Sequence, residues 1–243
     1  MTRRVPRPPL RVAGATANFG RGASPEKFEA NFRRVIAALK SESPYWILGC
    51  QELDEADFPN EHLIVTRVLA DMAPGARLIG YGTHTPIIAS PWTRVVHRKV
   101  SKASPGLPKA SPARQVVEAV FEFANADDDQ LGWVNTHMPL DKPRLQSRRQ
   151  MVRRKLKRRI RALRRTGVDV AWSADMNELH LRELNRAEIR LVSARRDYIG
   201  IFPARGRKRP RWREVRHRTV DLTIDGHNAH VVVLELDEHR KEK

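Results

Sequence analysis

Six short polar words stand where apolar runs of the chain begin or end, and each carries a carboxylate, an amide or an imidazole. Asn18 follows RVAGATA, Gln51-Glu52 follows WILGC, and Asn135-Thr136-His137 closes LGWVNTH. Asp175-Met176-Asn177 follows VDVAWSA, Asp197 opens DYIGIF, and Asp225-Gly226-His227-Asn228 precedes AHVVVLEL. Taken singly, Asn and Asp at strand ends are ordinary turn residues. Taken together they are a set of hard oxygen ligands and imidazoles that would share one edge if the strands lie side by side. Such a donor set suits Mg²⁺ or Mn²⁺, which take one or two carboxylates and keep waters for substrate phosphates. Cys50 is the only cysteine, which excludes an internal disulfide and a Cys-based zinc site. The glycines at 20 and 22 are not followed by GK[ST], so they form no P-loop, and no GxSxG word is present.

The elements that must position these words are short strands alternating with a few helices. Apolar runs at 11–16, 46–49, 77–80, 93–96, 115–123, 131–136, 168–173, 198–202 and 229–236 read as strands, several alternating apolar with polar residues. Helical spacing occupies 25–40, 60–71 and 144–165, the first introduced by Ser24 as N-cap with Pro25 in the first turn. In the last, Leu145, Val152, Leu156, Ile160 and Leu163 make one apolar stripe among arginines and lysines, and Gly167 follows as a C-cap. This pattern predicts an α+β fold with helices outside a two-sheet core, as one domain over 10–236 with frayed ends at 1–9 and 237–243. Trp46, Trp133 and Trp172 lie in strand runs and belong to the core. Trp92 and Trp212 lie in basic, loop-like surroundings where they could stack on bases.

The charge is strongly one-sided: 46 Lys and Arg against 28 Asp and Glu, a formal net of +18. Residues 142–165 contain no acid, and 204–218 read ARGRKRPRWREVRHR. Such density of cations points to a phosphate-rich partner, nucleic acid above all. Arg205, Arg207, Arg209, Arg211 and Trp212, lying between the last two polar words, are expected near the same rim, gripping a backbone. With no apolar run long enough to span a bilayer and no secretory leader, a cytoplasmic protein without membrane or disulfide partners is expected, and a monomer is favoured.

The order of the words resembles the endonuclease/exonuclease/phosphatase family, over roughly residues 11–236. The resemblance rests on Gln51-Glu52, Asn135–His137, ADMNE at 174–178, and the pair Asp197-Tyr198-Ile199 and Asp225-Gly226-His227. It implies a four-layer α/β/β/α sandwich of two mainly antiparallel sheets flanked by helices, hydrolysing phosphoester bonds with Mg²⁺ or Mn²⁺. Carried onto this sequence, it makes Glu52 the main metal ligand, with Asn18 and Asp225 nearby. Asp175 and Asn177 would orient the attacking water and bind phosphate, with Asn18 also near the substrate, and His137 would donate to the scissile phosphate. His227 would polarise or activate, with Asp197 as its carboxylate partner. Ala174 replaces the family's glycine, and Gly226 separates Asp225 from His227. Tyr81 and His84 are the candidates for a partner to His137. The leading expectation is a metal-dependent nuclease acting on DNA. The alternatives are a phosphatase of the same fold acting on a small polyanion such as an inositol phosphate, and a non-catalytic nucleic-acid-binding relative.

Overall fold

The computed structural model describes residues 9–20, 23–53, 61–107, 112–123, 129–177, 184, 187–194, 196–224 and 227–237. Asp225, Gly226 and Glu178, singled out above, lie outside the described residues. In chain order the elements are β1 (Arg11–Asn18), α1 (Pro25–Glu42), β2 (Trp46–Gln51), α2 (Glu61–Met72), β3 (Arg77–Ile79) and β4 (Ile87–Ala89). β5 (Thr93–Ser104), β6 (Arg114–Phe123) and β7 (Gln130–His137) follow, then a 3₁₀ turn (Pro143–Leu145) and α3 (Gln146–Arg164). The chain closes with β8 (Asp169–Asp175), β9 (Ile189–Ala194), β10 (Asp197–Phe202), β11 (Trp212–Ile224) and β12 (His227–Leu236).

The strands form two six-stranded sheets, ordered β11-β12-β1-β2-β4-β3 and β5-β6-β7-β8-β10-β9. Period-2 alternation sends one set of side chains between the sheets, where Val12, Ile47, Phe121, Trp133, Ala171, Ile199, Trp212 and Leu234 make the central core. The opposite faces are covered by helices. Phe28, Phe32, Val35 and Leu39 of α1 and Val65 and Val68 of α2 pack on the first sheet. Val152, Leu156, Ile160 and Leu163 of α3 pack on the second. The result is the expected α/β/β/α sandwich. Ser24 caps α1 by accepting from the Lys27 amide, and Gly167 takes φ +86° after α3, both as its sequence predicts.

Two regions differ from expectation. β5 continues to Ser104, well past its apolar start, because its outer positions are polar and it forms the edge of its sheet. The segment 204–218 is not one basic loop: from Trp212 onward it is β11, the edge of the first sheet, with bulges that break the alternation at Glu214/Arg216 and Asp221/Ile224. Its arginines are matched by carboxylates, Arg213 to Glu235, and Arg216 and Arg218 to Glu42. Charged side chains on an edge strand also discourage pairing with other chains.

The sheets are joined below one rim by a buried amide. Asn135 of β7 donates from Nδ2 to the carbonyls of Cys50 (2.6 Å), Pro86 (3.1 Å) and Thr85 (3.2 Å) across the interface. Its Oδ1 accepts from Gln51 Nε2 (2.7 Å) and Ser173 Oγ (2.9 Å). The approach is so close that a Cβ on Gly49 would meet Ser173 Oγ at 2.1 Å, so glycine is required there. Replacing Asn135 by Ala strands buried carbonyls and the Gln51 amide, and should cost about 2–4 kcal/mol in urea-unfolding free energy. A loss below about 0.5 kcal/mol, the range of ordinary surface changes, would show that the amide does not join the sheets.

Candidate active site at the strand ends

Strand direction decides which residues meet. Each sheet contains one parallel pair, β1/β2 and β7/β8, with Asn18 beside Gln51 and His137 beside Asp175 in register. Parallel neighbours deliver both carboxy ends to the same edge. β10 is antiparallel to β8, so its first residue, Asp197, pairs with Asp175. β12 is antiparallel to β1, so His227 at its start lies beyond Asn18. β4 is antiparallel to β2, which places His84, Thr85 and Pro86 just before it at that rim, and β6 begins there with Arg114. The rim therefore gathers Asn18, Glu52, His84, Arg114, His137, Asp175, Asn177, Asp197 and His227.

Asp175 is the hub. Its Oδ2 accepts from Asn18 Nδ2 at 2.8 Å and lies 3.3 Å from His137 Nε2 and 3.9 Å from His227 Nε2, while Oδ1 accepts from the Asn177 amide at 2.7 Å. Burial pushes its carboxyl up, but the imidazoles of His137 and His227 and the Asn177 N–H outweigh that and hold it down at about 2. Asn177 also sets its amide nitrogen 2.8 Å from His137 Nε2 and donates to the Met138 carbonyl at 2.7 Å. Glu52 and Asn177 both adopt left-handed backbone, φ 56° and 51°, a state that asparagine tolerates and that is uncommon for glutamate.

A second pair stands beside the hub. His227 Nδ1 is 3.5 Å from Asp197 Oδ2. Burial lifts Asp197 to about 6 against the pull of His227. Burial depresses His227, but Asp197 and Asp175 together raise it above its ordinary value. The two face each other as an imidazole–carboxylate pair, with His227 Nε2 turned to the hub. His137 is different: burial, with Arg114 and His84 assisting and Asp175 opposing, lowers it to about 3, so it is neutral. Its Nδ1 is 2.8 Å from His84 Nε2 and 3.2 Å from Arg114 Nη1, and its ring stacks on His84 at 4.8 Å.

Glu52, His84 and His137 offer donor atoms that all lie within 4.8 Å of one another, with Glu52 Oε1 4.0 Å from His137 Nδ1. One carboxylate and two imidazoles, one of them held neutral by burial, fit a divalent cation. His84, rather than Tyr81, is the partner of His137; Tyr81 is exposed and sits by His62.

The basic cluster at 205–211 does not reach this rim. β10 starts at Asp197 and ends at Phe202 on the far edge, so Arg205, Arg207, Arg209 and Arg211 lie one strand length from the site. Asp169 at that far edge accepts from the Ala204 and Arg211 amides, both at 2.6 Å, and pairs with Arg207; Arg211 also pairs with Asp129. Trp212 is 2% exposed, edge-on to Phe123 in the inter-sheet core, and cannot stack on a base. Sequence reasoning missed Arg114 and Arg149. Arg149, 2% exposed inside the cationic helix, donates to the carbonyls of Pro139 (2.5 Å) and Met176 (3.3 Å), tying down the loops that follow β7 and β8.

These buried groups couple folding to pH. Between about pH 4 and 6 an unfolded chain protonates His137 and His230, which the fold holds neutral until about 3 and 4. Asp197 acts oppositely, keeping its proton to about 6 when folded. The balance is one proton more on the unfolded chain, so stability should fall by about 1.4 kcal/mol per pH unit on acidification. Urea titrations at several pH values should show this, and His230→Asn should flatten it; an unchanged slope in that variant would exclude His230 as a source.

No protein-family profile and no curated protein matches the sequence. Solved structures do match in fold. An endonuclease/exonuclease/phosphatase family protein from Bacteroides thetaiotaomicron is 10% identical with TM-score 0.66, covering 95% of this chain and 100% of its own. A mannosyl-6-phosphatase from the same organism is 11% identical with TM-score 0.62, covering 93% and 99%. D. rerio TDP2, complexed with a single-strand DNA product, is 13% identical with TM-score 0.60, covering 92% and 98%. With two facing six-stranded sheets, flanking helices and near-complete coverage by such structures, the chain has the endonuclease/exonuclease/phosphatase fold.

Proposed function

We propose that this chain is a divalent-metal-dependent phosphodiesterase acting on nucleic acid, with DNA as the polymer. The observation that carries the reading is the convergence of Asp175, Asn18, Asn177 and His137 with the Asp197–His227 pair at one rim, beside the Glu52 carboxylate. Asp175, ionised at every working pH, is placed to accept a hydrogen bond from an attacking water and orient it. The His227 imidazolium, kept charged by Asp197, neutralises a phosphoryl oxygen, and the Asn18 and Asn177 amides fix the groups around it. Glu52, with His84 and His137, would hold the ion, which when bound supplies positive charge to the phosphate oxygens. Two imidazoles beside one carboxylate match Mn²⁺ better than Mg²⁺.

The cations that serve the rim are those at the start of α3 and the end of β5. Lys142 and Arg144 are exposed there, Arg148 is half-buried with Nε donating to Pro105 O, and Lys102 lies near the end of β5. A second reading, hydrolysis of a sugar phosphate, is favoured by the likeness to the mannosyl-6-phosphatase. Comparing cleavage of oligonucleotides with that of sugar phosphomonoesters separates the two.

Asp175→Asn and His227→Gln should each lower kcat on a DNA substrate by about 10²–10⁴-fold, and EDTA should abolish turnover until Mn²⁺ is restored. Wild-type protein inert toward both substrate classes with Mn²⁺ and Mg²⁺ would refute the reading. Because the working His227 is the charged form, kcat/KM should fall as pH rises above the raised pKa of His227. Asp197→Asn removes the carboxylate that raises it and should move that limb to lower pH. An activity that instead climbs through the same range would make His227 a base.

A further inference from the structure

Away from the rim, the two sheets part where their edge strands face each other. β3, only three residues long, ends the first sheet, and β5, twelve residues long, ends the second. Between them lies a groove of about 720 Å³ lined by Arg77, Ile79, Trp92, Arg94, Val95 and Arg98, among others, with no acid among the described residues of its wall. Trp92 is 64% exposed, while the other four tryptophans are at most 2% exposed. An exposed indole among three arginines is the pairing that single-stranded nucleic acids meet: a flat apolar face for a base and guanidinium groups for phosphates. Arg94 pairs with Glu122 of β6, which leaves Arg77 and Arg98 as the guanidinium groups assigned to phosphates.

The groove does not stop at Trp92. Arg98, Val100 and Lys102 pair with Ala119, Val117 and Gln115 of β6, and Val117 and Ala119 belong to the inter-sheet core. Paired residues share a face, so Arg98, Val100 and Lys102 all turn to the inter-sheet side, where β3 is too short to cover them and they remain exposed. β5 then reaches the catalytic rim, where Ser104 pairs with Arg114. A cationic edge therefore runs from Trp92 to the site.

We propose that the groove between β3 and β5 binds a single-stranded stretch of nucleic acid, with one base stacked on Trp92, phosphates on Arg77 and Arg98, and the strand continuing along β5 past Lys102 toward the rim. This site is separate from the reacting groups. It shares with the preceding reading only the kind of polymer.

Binding is measured without turnover, on the wild-type chain in EDTA, with a fluorescent oligo-dT of roughly 20 nucleotides and a duplex of the same length. Iodide quenching reads Trp92, the exposed indole, and the oligonucleotide should protect it. Trp92→Ala should weaken single-strand binding about tenfold with little change for the duplex, and Arg98→Gln should lower the salt slope by roughly one. Circular dichroism and thermal melting check that both variants fold as the parent does. Single-strand affinity unchanged in Trp92→Ala, or iodide access to Trp92 unaffected by oligo-dT, would overturn the proposal. So would a sulfated polysaccharide that competes fully while Trp92 stays silent. Failure here leaves cleavage at the rim standing, and a catalytically inert chain that still binds through Trp92 leaves the groove standing.

Discussion

One buried amide sets the geometry on which the site depends. Asn135 reaches from the second sheet to three carbonyls of the first, and receives the Gln51 amide in return. These carbonyls belong to residue 50, just before Glu52, and to residues 85 and 86, just after His84. Asn135 is itself two residues from His137. A single side chain thus fixes the relative height of Glu52, His84 and His137 before any ligand arrives. In the low dielectric between sheets such bonds are strong when complete and costly when broken, so the rim has little freedom to rearrange.

Above that amide the charges are sorted by what surrounds them. Asp175 is buried yet ionised, because Asn18, Asn177 and two imidazoles meet its lone pairs. His137 is buried beside Arg114 and stays neutral. His227, beside Asp197 and Asp175, is pushed the other way, toward its charged form. Two imidazoles a few ångströms from one carboxylate are thereby pushed in opposite directions, one toward the neutral form that suits ligation and one toward the charged form that suits an anion.

Much of this is legible in the residues alone, because a strand that ends in a polar word advertises both its length and its rim. Asn18, Glu52, His137, Asp175, Asn177, Asp197 and His227 each close or open an apolar run, and the structure brings those side chains to one edge. His84 carries no such word and could be named only as a candidate beside Tyr81. Arg149 is hidden by its neighbours: one buried arginine in a run of exposed ones has no compositional mark. The misplacement of 205–211 has a geometrical cause. Asp197 opens β10, so whatever follows Phe202 must emerge at the opposite edge, and β11 must cross back before His227. That crossing was masked because two bulges disrupt the alternation of WREVRHRTVDLTI, and arginines fill its outward positions. Trp212 follows the same rule, since an indole among arginines looks like a surface group until its strand is known.

The far edge has a design of its own. The carboxylate of Asp169 receives the amides of Ala204 and Arg211, one on each oxygen, and so draws both ends of the intervening segment together like a buckle. Whatever lies between, including the exposed Arg205 and Arg209, is a closed excursion whose length is decoupled from the strands on either side. Lengthening such an excursion costs only a slowly growing loop entropy. A tether or a reporter group inserted there would ride on the molecule at the pole opposite its chemistry, without disturbing the register of β10 or β11.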